Sequence, residues 1–213
     1  MVDLLRKERR ILLVSLAIGI FFAMGVAAST YVYSAAVQRE IAENVIRFHV
    51  VAHSDSPEEQ ELKEYVRTEI LANFAHSLSA NADISTTRSR LEEVLPAMRE
   101  HAQETVSRVG FGHEVTAEMA TVFFPTQFYG NIAFPPGYYE AVQIIIGDGV
   151  GQNWWCLMFP PLCYVDMTTT DAGQALLSET ISEETFLLLM HQESASPELT
   201  VRFRVVEWWQ NRS

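Results

Sequence analysis

Cys156 and Cys163 are the two thiols of a 213-residue chain, and six residues separate them. That spacing is neither the C-x-x-C of a redox pair nor that of a zinc knuckle. Pro160-Pro161 lies between them. It can reverse the chain and bring the two Cα atoms within the ~6 Å that a disulfide needs. A disulfide is the expectation, two buried thiols the alternative, and a thiol nucleophile a third reading. His49 and His53 are four residues apart on a predicted strand and its end, and a two-residue period puts both on one face. Two ligands do not make a metal site, and no motif places a third, so a structural or capping role is expected. Ser54-Asp55-Ser56 reads as a turn leading into a helix cap, without the G-x-S-x-G elbow of a hydrolase. Asp148 between Gly147 and Gly149 reads as turn chemistry rather than a phosphate or calcium loop. Trp154, Trp155 and Tyr164 crowd the same stretch as the cysteines. Alternation along a strand sends the two tryptophans to opposite faces; one can fill a core, and the other must be covered internally or meet a partner.

These residues need elements to hold them. Asn44–Ala52 is rich in β-branched and aromatic side chains and reads as a strand. Ser56 as N-cap, Pro57 at the first helical position and Glu59 in a capping box start a helix expected to run to about Ser79. Its stripe is Leu62, Val66, Ile70, Phe74 and Leu78. A second helical stretch starts near Ser85 with Leu91, Met98, Ala102 and Val106 on one face. Pro96 should kink or split it, and Gly110 and Gly112 end it. Val115–Phe124 alternates as a strand, residues 125–137 read as an ordered loop, and Tyr138–Ile146 as a strand. Gly147–Gly151 looks like a hairpin connection returning through Trp154–Phe159. Short helices around Asp171–Glu179 and after Ser182, and a weak strand over Val201–Val205, follow.

The N-terminus gives the strongest signal. Arg6, Lys7, Arg9 and Arg10 precede a stretch with no charge until Arg39, and Ile11–Ala28 is wholly without a polar face. Eighteen such residues span about 27 Å, close to a hydrocarbon core of roughly 30 Å. The basic side stays in the cytoplasm and the chain after it faces outward. Small residues at Val26–Ala28 and Ser34–Ala36 suit a signal peptidase. Residues 1–38 are therefore a basic start plus signal peptide or membrane anchor that contacts the membrane, and 39–213 an extracytoplasmic domain, where a disulfide can persist. The net charge is −12, and beyond the first ten residues 25 acidic side chains face 11 basic ones. Such a body is repelled by phosphate backbones and anionic lipid, which argues against nucleic-acid binding.

Two stretches, IRFHVVAHSDSPEEQELKEYVR (46–67) and FFPTQFYGNIAFPPGYYEAVQIIIGDGVGQNWWCLMFPPLC (123–163), resemble stage II sporulation protein R, in the same order and behind the same kind of export segment. The pattern is met from Asn44 to Asp166; the C-terminal 45 or so residues match poorly, and His53 stands where the pattern leads one to expect asparagine. The resemblance implies a signalling protein of endospore-forming bacteria. Such a protein is made in the forespore and exported between the two membranes. It triggers a membrane-embedded aspartic protease of the mother cell, which processes the sigma factor E precursor. The protease is the enzyme and the family member its activating signal, so no catalytic residue is expected in this chain, nor is a metal or cofactor.

The expected fold is therefore α+β: an antiparallel sheet packed with helices, preceded by one N-terminal hydrophobic helix. The competing function is a secreted Cys/His hydrolase of cell wall, with Cys156 or Cys163 as nucleophile and His49 as base. Free, low-pKa thiol chemistry separates the two.

Overall fold

A computed structural model describes residues 2–74, 83–129, 132–164 and 171–190. The chain divides into two units between Glu43 and Asn44. The first is a single helix, α1 (Val2–Asn44). Within it Ile11–Asn44 is long and apolar enough to cross a membrane; its most apolar 18-residue window has a mean hydropathy of 2.6 and is entirely unburied. A helix of this kind at the N-terminus suits a signal segment or an anchor.

The second unit is α+β. Its strands are β1 (Ile46–Val51), β2 (Val115–Phe124), β3 (Gln127–Tyr129), β4 (Ile132–Phe134), β5 (Gly137–Ile146) and β6 (Asn153–Phe159). Its helices are α2 (Pro57–Phe74), α3 (Ile84–Arg108), α4 (Asp171–Thr180) and α5 (Glu183–Met190), with a 3-10 turn at Leu162–Tyr164. The main sheet is ordered β2-β5-β1-β6. Its outer pairs, β2–β5 and β1–β6, are antiparallel, and β1–β5 is parallel.

That order corrects the hairpin expected at Gly147–Gly151. β5 and β6 do not pair; β1 lies between them. The turn itself is present, with Gly147 and Gly149 at φ +59° and +61°, a region that favours glycine. The chain then passes over the exit of β1. The Gly151 N–H donates to the Ala52 carbonyl (3.0 Å), and the Gln152 N–H to Asp55 Oδ1 (2.7 Å). A Cβ on Gly151 would collide with the Ser54 carbonyl. His53–Ser56 is thus the seat over which the connection crosses. Every residue of β1 is buried, as a central strand covered on both faces requires.

Alternation assigns the two faces. Phe48, Val50, Val142, Ile144, Val115, Cys156 and Met158 form the core with Leu62, Val66 and Ile70 of α2 and Leu91, Met98, Ala102 and Val106 of α3. Ser56 caps α2, its Oγ accepting from the Glu59 N–H at 3.4 Å, and Pro57 opens the helix. Leu78 and the remainder of the stripe past Phe74 lie outside the described residues. Asp83 caps α3 by accepting from the Thr86 N–H at 2.7 Å, which holds its carboxyl below the usual range.

Two expectations need revision. Of the kink or split expected at Pro96, the split does not occur: α3 runs through it as one helix. Proline removes one backbone bond at a cost of about 3 kcal/mol, but buried Leu91 on one side and Met98, Ala102 and Val106 on the other hold both halves against the same sheet. The segment 125–137 is also more than a loop, because β3 and β4 pair antiparallel within it. α4 and α5 match the two short helices, and Ser182 Oγ accepts from the Thr185 N–H at 3.3 Å. The strand expected at Val201–Val205 lies outside the described residues.

Candidate functional site

β6 carries Cys156 into the core, opposite Phe48 of β1. The chain turns at Pro160-Pro161, and Leu162–Tyr164 brings Cys163 back. Cys156 and Cys163 form a disulfide with Cα atoms 5.7 Å apart. His49 is directed the other way: it pairs across the strands with Trp155, whose ring stacks on it at 4.0 Å and 13°. Cys156 and His49 therefore lie on opposite faces of the sheet, and the dyad of the hydrolase reading is not assembled. Among the described residues no three His, Cys, Asp or Glu side chains gather as a metal site would require.

The tryptophans divide as alternation demands. Trp154 lies on the helix-covered face, edge-on to Phe48 at 5.8 Å, with the Arg67 guanidinium 4.9 Å over its ring. Trp155 lies against His49 and Phe124 on the other face. Both are half-buried. Tyr164 ends the 3-10 turn.

His53 does not join His49. It stacks on His113 at 4.2 Å, and its Nδ1 accepts the Asp148 N–H at 3.0 Å. His113 Nε2 sits 2.7 Å from Glu59 Oε1. Position 53 thus ties the β1 exit to the start of β2 and to the β5–β6 crossover, which is a structural task. Gly147 suits this contact, since a Cβ there would press on both imidazoles.

The second face of the sheet holds a group that its residue types did not announce. Arg47 is fully buried. Its guanidinium lies 4.2 Å from the centre of the Phe124 ring, 4.9 Å from Tyr139, 5.4 Å from Phe134 and 5.8 Å from Tyr129. One nitrogen, Nη2, donates to Tyr129 Oη at 2.8 Å. Nε and Nη1 have no hydrogen-bond partner among the described residues. Burial pushes the Arg47 pKa down, opposed by the two tyrosines, and burial raises that of Tyr129. Arginine stays charged regardless, so the cage holds a cation by ring faces in place of a carboxylate. β3 and β4 exist to close it, since Tyr129 and Phe134 belong to them.

His49 shares that face. Burial pushes its pKa down to about 4, aided by the Arg47 charge, while Asn153 pulls the other way. Its ordinary value is near 6.5, so the unfolded chain binds the extra proton between the two values. Stability is then complete above about pH 6.5 and falls as the pH drops toward 4. A loss of about 2 kcal/mol between pH 7 and pH 5 is expected from this one group. Urea unfolding at the two pH values should show it, and His49→Gln should remove that share. An equal pH dependence in the variant would overturn the assignment.

Residues 42–169 match the family model described as stage II sporulation protein R. The matched stretch contains the six strands found among the described residues, α2, α3 and both cysteines. The chain belongs to the stage II sporulation protein R family. It is also 29% identical over 181 residues, 79% of this chain and 81% of the other, to stage II sporulation protein R of Bacillus subtilis (strain 168). No solved structure matches. Membership of the stage II sporulation protein R family gives the protein a role in sporulation.

One further feature lies on the α2–α3 side of the fold. A groove of about 520 Å³ runs between the first turns of α2 and the end of α3, lined by Glu58, Glu61, Leu62, Tyr65, Arg108, Val109 and Phe111. Its residues carry no motif. The sequence signal that could have found it is Val109 and Phe111 flanking Gly110, apolar side chains at the end of a helix.

Proposed function

We propose that this protein is an exported signal of sporulation. It is made in the forespore, its N-terminal helix carries or anchors it across the forespore membrane, and the body from Arg39 onward faces the space between forespore and mother cell. There it activates a membrane-embedded aspartic protease of the mother-cell membrane, which then processes the sigma factor E precursor. The observation that carries this reading is the family match over the folded body, behind a helix apolar enough for export. The disulfide fits a body outside the cytoplasm. Trp154, Trp155 and Tyr164 are the candidate partner contacts near it.

The test is reconstitution in a non-sporulating host. The full chain, the protease and the sigma precursor are expressed in all combinations, and precursor cleavage is followed by immunoblot. Cleavage that needs both the chain and the protease is the expected result. Cleavage without the chain would overturn the reading. Folded His49→Gln protein should signal within about tenfold of wild type, or about 1.4 kcal/mol. A general base is worth ~10²–10⁴ in rate, so a stable but inactive His49→Gln would give His49 a role in signalling beyond packing.

A further inference from the structure

The groove between α2 and α3 has a floor and a rim of different chemistry. Leu62 is buried at its base, while Tyr65 and Val109 are 40% and 46% exposed beside Phe111. Large apolar side chains left open in a concave site mark a place for another apolar group. The rim carries Glu58 and Glu61 in the first turns of α2, both exposed. Neither carboxylate has a hydrogen bond or ion pair among the described residues. The cation of the rim is already engaged: Arg108 Nη2 lies 3.2 Å from Glu69 Oε2 and 3.4 Å from Tyr65 Oη. Glu69 raises the Arg108 pKa accordingly. The groove therefore presents an apolar floor beneath a net negative rim.

That combination selects its occupant. An anionic lipid surface would meet like charge on the rim and on a body with more than twice as many acidic as basic side chains. A second copy of this chain would meet the same repulsion. A peptide segment with one large apolar side chain flanked by Lys or Arg satisfies both parts: the apolar group covers Tyr65, Val109 and Phe111, and the cations reach Glu58 and Glu61. We propose that this groove is the docking site for a basic, apolar-centred segment of the protein that receives the signal. The proposal rests on the signalling reading above only for the identity of that receiver.

Two measurements test it. In the reconstituted host, Glu61→Lys and Val109→Arg should each raise the amount of protein needed for half-maximal precursor cleavage at least tenfold, with melting temperatures near wild type. Glu118→Lys, at an exposed position within β2, should stay within twofold. Groove variants that signal within twofold of wild type would overturn the proposal. So would an equal loss in Glu118→Lys, because overall charge rather than the groove would then be responsible. If the wild-type protein itself gives no cleavage, the signalling reading fails and the groove is judged by binding alone. Full-length protein in uncharged detergent micelles is titrated with acetyl-Arg-Leu-Arg amide and, separately, acetyl-Glu-Leu-Glu amide, while the methyl signals of Leu62 and Val109 are followed by NMR. Saturable shifts with the basic probe alone, lost in Glu61→Lys, support the groove. No shifts, or equal shifts with both probes, overturn it.

Discussion

Arg47→Ala is expected to destabilise the protein by about 3 kcal/mol, the scale of a large core side chain cut to alanine. The guanidinium is fully buried and fills the space between Phe124, Tyr129, Phe134 and Tyr139. Its removal leaves a cavity that must be closed by strands on two different sheets. Arg47→Met separates shape from charge. Methionine restores much of the volume and removes a cation whose Nε and Nη1 lack partners among the described residues. A buried charge without a carboxylate carries a desolvation cost that an apolar replacement does not. The methionine variant should therefore lie within about 1 kcal/mol of wild type. Urea midpoints of the three proteins at pH 7 decide this. If methionine is as damaging as alanine, the ring faces hold the cation by more than shape, and the packing account fails. Signalling measured on the same samples adds a second readout. A stable Arg47→Met that no longer triggers cleavage would assign the arginine a role beyond packing.

Loss of the Cys156–Cys163 bridge should cost about 2–3 kcal/mol on the chain-entropy estimate for so short a loop. The sequence separation is 7 residues, so the unfolded chain loses little freedom when the bridge forms, and the effect stays at the low end for a disulfide. In a protein of this size that corresponds to roughly 5–10 °C in melting temperature. Cys156→Ala with Cys163→Ala is the cleaner variant, since Cys156 is only 6% exposed and a serine there would bury a hydroxyl. Calorimetry of the double variant, with wild type in the presence and absence of reductant, measures the effect. Alkylation of native exported protein without reductant should modify neither thiol. Full alkylation of both would remove the bridge from the account.

Local chemistry was readable from the residues alone. The export helix follows from an uncharged apolar run that offers no polar face to water. The start of α2 follows from Ser56 and Pro57, because capping and a preset φ act within one turn. Strands β1, β2, β5 and β6 follow from alternation and β-branched content. The disulfide joins positions close enough in sequence for Pro160-Pro161 to bring them together. Stage II sporulation protein R was recognisable in the same stretches. What tertiary structure decided is contact between distant segments. A strand, a glycine-rich turn and a strand fit a hairpin, and nothing in those residues says that β1 will lie between β5 and β6; the choice depends on burying both faces of Ile46–Val51 at once. Pro96 stays within α3 for the same reason, since the sheet beneath it outweighs the local break. Arg47 and His49 look like the polar half of an alternating strand. Their hydrogen-bond partners include Tyr129, 82 residues away, and Gln143, 94 residues away. A sequence pattern states which side chains share a face, but only the packed fold determines what covers that face.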